Sequence, residues 1–348
     1  MNVATEEVRE TILSRFQAAY RSIDIICFEV SSADVIEALR KRSEEGISVR
    51  VRCEHRKTGT ALLDVAEAAP SIQLQRSEPN KEYHALHEKI VLIDDNRLLF
   101  GTFNLSDVSF DQNAELLFET TEPKLIAAAR EHVKGLDHSL AKSGKVQLST
   151  ESTEVRDTQE TRRFLSIPNL PAKTSHLLFS SDYELFETIR SAIESARHSI
   201  IVYASHRISE RILELLCDAE ERGTAVKVIK DVSALQSWDL RRIGRKVTRA
   251  VSVPGKMHIK AILIDDESFL VGSVNLFERS LFQDRELLFV GNDAHTRRLI
   301  DRELVNVNEL SKPISTADHL RFIRKQLNRT LRRVARKTAR RIGVQKSQ

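Results

Sequence analysis

Two stretches of the chain carry the same polar side chains at the same spacing. Each begins with a histidine, has a lysine two positions later, and ends with a glutamate. The first comprises His87, Lys89, Asp94, Gly101, Thr102, Asn104 and Glu115, and the second comprises His258, Lys260, Asp265, Gly272, Ser273, Asn275 and Glu286. Matching positions are 171 residues apart throughout (258 − 87), which indicates a repeated unit with one chemical task rather than a chance pattern.

The side chains of each array suit a phosphate group. An imidazole, an ammonium, a hydroxyl and a carboxamide all donate hydrogen bonds to the nonbridging oxygens of a phosphate. Two copies of the array bring two histidines, His87 and His258, to one phosphorus atom. One histidine can attack in line while the other protonates the leaving oxygen, so the pattern predicts covalent phosphodiester cleavage that needs no metal and no cofactor.

The spacing within each array predicts a β-hairpin. His87 and Lys89 lie two apart and therefore point to the same face of a strand, as do His258 and Lys260. The return strand ends in Gly-Thr-x-Asn or Gly-Ser-x-Asn, which a hairpin brings back beside the histidine. We expect Asp94 and Asp265 to serve the turn or a nearby salt bridge, and Glu115 and Glu286 either to orient a histidine or to pair elsewhere.

The remaining reactive residues carry no comparable pattern. Cys27, Cys53 and Cys217 show no Cys-x-x-Cys spacing and are predicted to be free thiols in a reducing compartment. Three other histidines, His55, His84 and His206, have no partner signal in the sequence. No cysteine or carboxylate set at metal spacing accompanies His84, so no metal site is predicted.

The elements around the arrays repeat as well. A helix over 5–21, a strand over 22–30 and a helix ending at Gly46 recur in the second half, where Gly223 matches Gly46. Alternating helices and strands predict an α/β class built from two copies of one domain. The predicted units are an N-terminal lobe over 1–141, a polar linker over 142–174, a C-terminal lobe over 175–312 and a basic helical tail over 313–348.

Composition excludes several classes of protein. Of the 348 residues, 41% are hydrophobic, which is enough for a sizeable core. The charged N-terminus lacks the apolar segment of a signal peptide, and no run approaches the roughly 18 apolar residues of a membrane span. We therefore expect a cytoplasmic protein whose contact with the inner face of a membrane would be peripheral.

The two arrays resemble the motifs of a known family. The paired arrays are similar to the H-x-K-x4-D-x6-G-S/T-x-N motifs of the phospholipase D superfamily, over essentially residues 5–310, with Thr102 where serine is usual. The resemblance implies two lobes related by a pseudo-two-fold axis, with one active site at their interface. It also implies that His87 is the nucleophile and His258 the general acid and base. The phosphate would be bound by Lys89, Lys260, Asn104 and Asn275. The hydroxyls of Thr102 and Ser273 are predicted to bind it as well.

The motifs leave the substrate open, because the superfamily includes both lipid enzymes and nucleases. The run NLFERSLFQDREL resembles bacterial cardiolipin synthases at Arg279 and Ser280, whereas the first copy, NLSDVSFDQNAEL, looks more like the nuclease branch. Both motifs in one chain favour a lipid enzyme, either a phospholipase D or a cardiolipin synthase. An endonuclease or nucleic-acid phosphodiesterase is the alternative, and a non-catalytic sensor of phosphate ligands is a third.

The C-terminal tail is a separate clue to the partner. Residues 318–348 contain eleven lysines or arginines and one aspartate, a net of +10, which leaves −6 for the rest of the chain (4 − 10). Apolar residues at helical spacing within 321–342 predict a basic amphipathic helix. An anionic phospholipid surface is the favoured partner, nucleic acid is the alternative, and a solvated helix packed on the body is the third possibility.

Overall fold

The computed structural model describes residues 5–58, 60–68, 71–77, 85–141, 175–180, 183–235, 248–252 and 256–315, together with positions 317 and 324. The predicted linker over 142–174 lies outside the described residues, as does nearly all of the basic segment over 321–342.

The first half forms a mixed sheet with helices packed on it. Its strands are β1 (Ser22–Cys27), β2 (Ser48–Glu54), β3 (Ile72–Ser77), β4 (Lys89–Ile93), β5 (Arg97–Gly101) and β6 (Leu117–Thr120). Its helices are α1 (Thr5–Ala18), α2 (Ala33–Glu44), α3 (Thr60–Ala68), α4 (Asp107–Asp111) and α5 (Pro123–Ala141). The strand order is β3-β2-β1-β4-β5-β6, in which β1 runs parallel to β2 and antiparallel to β4.

The second half repeats this plan and extends it at both edges. Its strands are β7 (Ser175–Ser180), β8 (Ser199–Ala204), β9 (Ala225–Asp231), β10 (Thr248–Val251), β11 (Lys260–Ile264), β12 (Ser268–Gly272), β13 (Glu286–Asn292) and β14 (Lys312–Pro313). Its helices are α6 (Tyr183–Ser195), α7 (Glu210–Glu221), α8 (Glu278–Phe282) and α9 (Ala294–Leu310). The order is β14-β10-β9-β8-β11-β12-β13-β7, so β7, which the sequence pattern did not predict, lies beside β13.

The central strands are buried because their sequences are largely apolar, and the buried Asp24 of β1 pairs with Arg50 and Arg52. Every residue of β1, β4 and β11 is buried, as expected for strands covered by helices on one side and by the other lobe on the second. The α/β duplication predicted from the repeat is therefore confirmed.

The aspartate of each array fastens its hairpin turn. Asp94 and Asp265 adopt left-handed backbone angles, with φ of 52° and 49°, at the end of β4 and β11. The Asp265 carboxylate accepts hydrogen bonds from the backbone N–H groups of Arg197, His198 and Ser199, at 3.1, 2.8 and 2.9 Å. Asp94 accepts in the same way from the backbone of residues 20–22. Both aspartates therefore tie a hairpin to the start of a neighbouring strand.

Aromatic rings join the two lobes. Phe100 on β5 lies 5.1 Å from Phe289 on β13, and Phe289 lies 5.4 Å from Phe118 and 5.1 Å from Phe269, all between ring centroids. Phe100, Phe269 and Phe289 belong to one buried cluster that draws residues from both sheets, and the partly buried Phe118 packs against it. The two sheets are thus held face to face by a shared core, which includes Leu86 and Met257, the residues just before the two histidines.

Candidate active site

The chain that leads into each histidine pairs with the other lobe. The backbone N–H of His87 donates to the carbonyl of Arg285 at 2.8 Å, and the N–H of Arg285 donates to Ala85 at 2.8 Å. Across the pseudo-two-fold axis, the N–H of His258 donates to Ala114 at 3.0 Å, and that of Ala114 donates to Lys256 at 2.8 Å. His87 therefore lies next to Arg285, the residue before Glu286, and His258 lies next to Ala114, the residue before Glu115.

This pairing makes the histidine–glutamate contacts cross between lobes. His87 Nδ1 lies 3.0 and 2.9 Å from the two carboxylate oxygens of Glu286, and His258 Nδ1 lies 2.9 Å from both oxygens of Glu115. Both glutamates are buried. With Nδ1 held, Nε2 is the nitrogen of each ring that is left for chemistry, so the role of histidine orienter is supported for both glutamates.

The array hydroxyls hold the glutamates. Thr102 Oγ1 donates to Glu115 at 2.7 Å and accepts the N–H of Leu116 at 2.9 Å, and Ser273 makes the equivalent contacts with Glu286 and Leu287. The sequence predicted Thr102 and Ser273 as phosphate ligands. Since a hydroxyl has one proton, and the structure commits that proton to a glutamate, these residues position the carboxylates instead.

The two lysines are buried beside the histidines. Lys89 is 0% exposed and Lys260 is 4% exposed. Each ammonium donates to the carbonyl of the histidine two residues before it, at 2.6 Å for Lys260 and His258. Burial lowers the pKa of both lysines, to about 7 for Lys260, although nearby carboxylates oppose the shift. An anionic phosphate would favour their charged forms.

The asparagines are held by their carbonyl oxygens. Ser205 Oγ donates to Asn275 Oδ1 at 3.0 Å, and the Cys27 thiol makes the longer equivalent contact, at 4.0 Å, with Asn104 Oδ1. The amide nitrogen of each side chain is thereby left as the donor. This arrangement supports the prediction that both asparagines donate to a phosphate.

Several functional residues escaped the sequence analysis. Glu54 at the end of β2 and Asp231 at the end of β9 accept the backbone N–H groups of Leu86 and Met257, at 3.2 and 3.0 Å. These are the residues just before the two histidines, so a buried carboxylate fixes the entry to each array. The only sequence signal was that the two carboxylates occupy matching positions in the repeat.

The sequence pattern pointed to only one of a matched pair of serines, Ser280 but not Ser109. Ser109 Oγ donates to Glu115 at 2.7 Å, and Ser280 Oγ donates to Glu286. The sequence pattern alone suggests that Ser280 is a lipid-enzyme feature of the second copy. The structure shows the same contact in the first copy, so Ser280 does not distinguish the two copies or the two substrate classes.

A third histidine lies beside the site. His206, which had no sequence signal, has its ring centroid 6.5 Å from that of His258 and 6.0 Å from that of Phe277. Burial, followed by the charges of Lys260 and His258, lowers the pKa of His206 to about 3, so the ring is neutral at physiological pH. On the opposite side, the Phe28 ring lies edge-on to His87 at 5.0 Å.

The electrostatics favour neutral histidines. Burial and the neighbouring lysines lower the pKa of His87 well below its usual value, and burial also lowers that of His258 against the attraction of Glu115. The pKa of Glu115 is lowered by His258 and its hydrogen-bond donors, which outweigh burial. Burial raises the pKa of Glu286 to about 8. The result is two imidazoles and two ammonium groups in one enclosed site, which suits an anionic phosphodiester.

Comparisons with known proteins agree with this geometry. The family model described as "Cardiolipin synthase, PLD-like domain" matches residues 12–136 and again 189–307, which together make up more than half of the chain. The chain therefore belongs to this phospholipase D-like family.

Among curated proteins, the chain is similar to cardiolipin synthase A of Erwinia tasmaniensis, with 25% identity over 83% of this chain and 65% of that protein. It is also similar to cardiolipin synthase A of Wigglesworthia glossinidia brevipalpis, with 22% identity over 88% of this chain and 67% of that protein. Other cardiolipin synthase A relatives are covered over about half of their length. The chain thus spans about two thirds or less of these relatives.

Solved structures share the fold. Phosphatidylserine synthase of Haemophilus influenzae superposes with a TM-score of 0.69 at 15% identity, over 89% of this chain and 86% of that one. Polyphosphate kinase of Porphyromonas gingivalis superposes with a TM-score of 0.64 at 17% identity, over 90% and 47%. Within the described residues, the helices are too short or too polar for any of them to span a bilayer.

Proposed function

We propose that this protein transfers a phosphatidyl group from one alcohol to another alcohol or to water, as a cardiolipin synthase or phospholipase D does. The observation that carries the proposal is the pair of histidine–glutamate contacts that cross between the lobes. They hold two imidazoles in one enclosed site, next to two buried lysines and two oriented asparagines. Membership of the phospholipase D-like family and similarity to cardiolipin synthases support a lipid phosphodiester as the substrate.

The proposed reaction has two halves. One histidine attacks phosphorus through Nε2 and forms a phosphohistidine, while the other protonates the leaving alcohol. The second histidine then takes a proton from the acceptor, which displaces the first histidine from phosphorus. Lys89, Lys260, Asn104 and Asn275 donate to the nonbridging oxygens and stabilise the charge that develops on them.

We place this activity at a membrane surface. The predicted basic segment over 321–342 would bring the acidic body to anionic lipids, since each lysine or arginine near such a surface contributes about 1 kcal/mol. The protein would then act from the inner face of the membrane without crossing it. The same segment also suits nucleic acid, which is why the nuclease alternative is tested in parallel.

The test uses the full chain in EDTA with phosphatidylglycerol vesicles and, separately, with single- and double-stranded DNA. We expect cardiolipin with glycerol, or phosphatidic acid, by mass spectrometry, and sedimentation of the protein with anionic but not neutral vesicles. His87→Asn and His258→Asn should both abolish steady-state turnover. Cleaved DNA with unchanged lipid would establish the nuclease instead. No turnover of either substrate, with ligand binding unaffected by His87→Asn, would indicate a sensor.

A further inference from the structure

The two histidine–glutamate pairs differ at one position that touches the glutamate. Glu115 receives four side-chain donors, from His258, Thr102, Ser109 and Asn113, the last through Nδ2 at 3.3 Å. Glu286 contacts His87 and receives two other side-chain donors, Ser273 and Ser280, so apart from its histidine it has two donors where Glu115 has three. At the position that corresponds to Asn113 (113 + 171) stands Asp284, which is buried and whose charge acts on Glu286. A neutral donor in one copy is thus replaced by an acid in the other.

This difference lowers the proton affinity of Glu115 and raises that of Glu286. A hydrogen bond to a carboxylate favours its charged form, and a nearby negative charge disfavours it. Asn113 therefore helps to keep Glu115 ionised, whereas Asp284 adds to the burial that raises the pKa of Glu286 to about 8. The guanidinium of Arg279 pairs with Asp284 at 3.1 Å, but its side chain is 46% exposed and that of Asp284 only 2%, so water screens the arginine more than the acid.

The other charged groups around the two pairs do not cancel this effect. Lys89 and Lys260 are related by the duplication and act on both pairs alike. On the His258 side lie Lys256, which acts on Lys260 and His206, and Lys230, which acts on His206, and their positive charges disfavour a further proton on that side. His206 acts on the pKa of His87 as well, but its ring is neutral. On the His87 side, Glu88 lies close enough to Lys89 to act on its pKa, and it also binds His132 at 2.8 Å. The charged surroundings of the two pairs therefore favour a proton on the His87–Glu286 pair rather than on the His258–Glu115 pair, in the same direction as Asn113 and Asp284.

The location of the proton determines the form of each imidazole. A protonated Glu286 donates to His87 Nδ1, and a neutral ring whose Nδ1 accepts must carry its hydrogen on Nε2. An ionised Glu115 accepts from Nδ1–H of His258, which leaves a lone pair on Nε2 of that ring. We propose that Asp284 breaks the symmetry of the site, so that His258 is the nucleophile and His87 is the general acid. This assignment is opposite to the one that the family resemblance implied.

The proposed step balances without another reactant. Nε2 of His258 forms a bond to phosphorus as the bond between phosphorus and the leaving oxygen breaks. That oxygen takes the Nε2 proton of His87, and the proton of Glu286 passes to His87 Nδ1. In the second half the acceptor oxygen forms a bond to phosphorus as its hydroxyl proton passes to His87 Nε2, and Glu286 recovers its own proton from His87 Nδ1. The bond between His258 and phosphorus breaks, and its electron pair returns to nitrogen.

The inference rests on the phosphodiester chemistry of the proposed function but not on the lipid, so its test uses bis(p-nitrophenyl) phosphate. Because p-nitrophenolate leaves without protonation, a variant that lacks only the general acid still forms the covalent adduct and then stalls. We expect His87→Asn to release a burst of about one equivalent of p-nitrophenolate per site. Mass spectrometry after alkaline quench should find the adduct on the peptide that contains His258. The matched variant His258→Asn should show no burst.

The exchange of Asn113 and Asp284 supplies two further measurements, the first of which keeps both histidines. Asp284→Asn should move to lower pH the part of the basic limb of the kcat/KM profile that Glu286 contributes, because Glu286 then releases its proton more readily. In the double variant Asn113→Asp with Asp284→Asn, the burst should disappear from His87→Asn and appear in His258→Asn. Thermal unfolding confirms that each variant is folded.

The outcomes separate this inference from the proposed function. A burst and an adduct on His87 in the otherwise wild-type His258→Asn protein would overturn the inference while leaving phosphodiester transfer intact. Bursts in both variants, or in neither while the wild type turns over, would overturn it as well. If the wild type cleaves neither phosphatidylglycerol nor bis(p-nitrophenyl) phosphate, the proposed function fails and the inference fails with it.

Discussion

Each histidine of the site depends on a carboxylate from the other half of the chain. The two glutamates are buried, so their orientation is maintained by fixed donors rather than by water. Thr102 and Ser109 hold Glu115, and Ser273 and Ser280 hold Glu286. The hydroxyl in the Gly-Ser/Thr-x-Asn motif therefore acts through a glutamate and a histidine, which explains why threonine can replace serine at position 102.

We predict that Glu115→Gln lowers kcat by about 10²- to 10⁴-fold with little change in KM. The amide keeps the shape of the carboxylate but no longer accepts strongly from His258 Nδ1–H, so the ring loses the tautomer that presents Nε2. The measurement is steady-state hydrolysis of bis(p-nitrophenyl) phosphate together with thermal unfolding. Glu119→Gln is the matched control, because Glu119 pairs with Arg15 and Arg97 at the surface and should retain full activity. A loss of less than threefold for Glu115→Gln would refute the role.

Sequence alone could identify the reacting groups but not their partners. The repeated spacing singled out the histidines, lysines and asparagines, because duplication in register is visible without a structure. It could not show that Glu286 serves His87 and Glu115 serves His258, since that depends on how two lobes dock. It also assigned the hydroxyls of Thr102 and Ser273 to phosphate rather than to the glutamates. The acceptor nearest to a hydroxyl depends on packing, which the sequence does not show.

At the scale of elements, the hairpin turns are built from aspartate. A left-handed backbone at Asp94 and Asp265 costs less for aspartate than for most residues, and the turned carboxylate collects three backbone donors. The glycine at the end of each return strand is needed for close approach. A Cβ added at Gly101 or Gly272 would lie 2.1 Å from the carbonyl oxygen of Leu116 or Leu287 on the next strand.

We predict that Asp265→Asn lowers the free energy of unfolding by about 1–3 kcal/mol at pH 7, because an amide oxygen accepts the three N–H groups less well than a carboxylate. These hydrogen bonds lower the pKa of Asp265 in the folded protein. The contribution is therefore complete above the unfolded pKa of about 3.9 and is lost as pH falls through the folded pKa.

Urea unfolding of wild type and variant between pH 7 and pH 3 tests this. The difference should shrink toward the acid end. Asp266→Asn is the control, since Asp266 is the next residue in the same turn and is exposed, and it should change stability by no more than about 0.5 kcal/mol. Equal losses for the two variants at pH 7 would show that the backbone contacts of Asp265 contribute nothing.

The elements themselves were largely predictable, for physical reasons that differ from case to case. Periodicity and turn residues predicted the hairpins and an apolar strand over 22–30, which the structure ends three residues earlier, at Cys27. Strand β7 did not, because its partner β13 lies more than a hundred residues away and edge strands carry weak alternation. The carboxylates Glu54 and Asp231 also escaped, since each ends a strand in sequence but is placed by the sheet beside a distant backbone N–H.

At the scale of the whole molecule, the core that joins the two lobes also positions the active site that they share. The aromatic cluster that includes Phe100 and Phe289 joins the sheets, and the crossed backbone pairs at His87 and His258 lie at its edge. A lobe without its partner would expose these rings and would leave a buried glutamate without its histidine. Because of the duplication, one chain supplies both halves of an enclosed site. The two copies can also differ in sequence, as they do at Asn113 and Asp284.

The crossed arrangement can be measured by double-mutant cycles on unfolding free energy. We expect His87→Asn and Glu286→Gln to couple by about 0.5–3 kcal/mol, because each removes a partner of the same buried contact. His258→Asn and Glu115→Gln should couple similarly. The same-half combination of His87→Asn with Glu115→Gln is the control and should be closer to additive, since those side chains do not share a hydrogen bond. If coupling were instead stronger within each half, the glutamates would serve their own arrays, the lobes would be self-sufficient, and two sites would replace the one described.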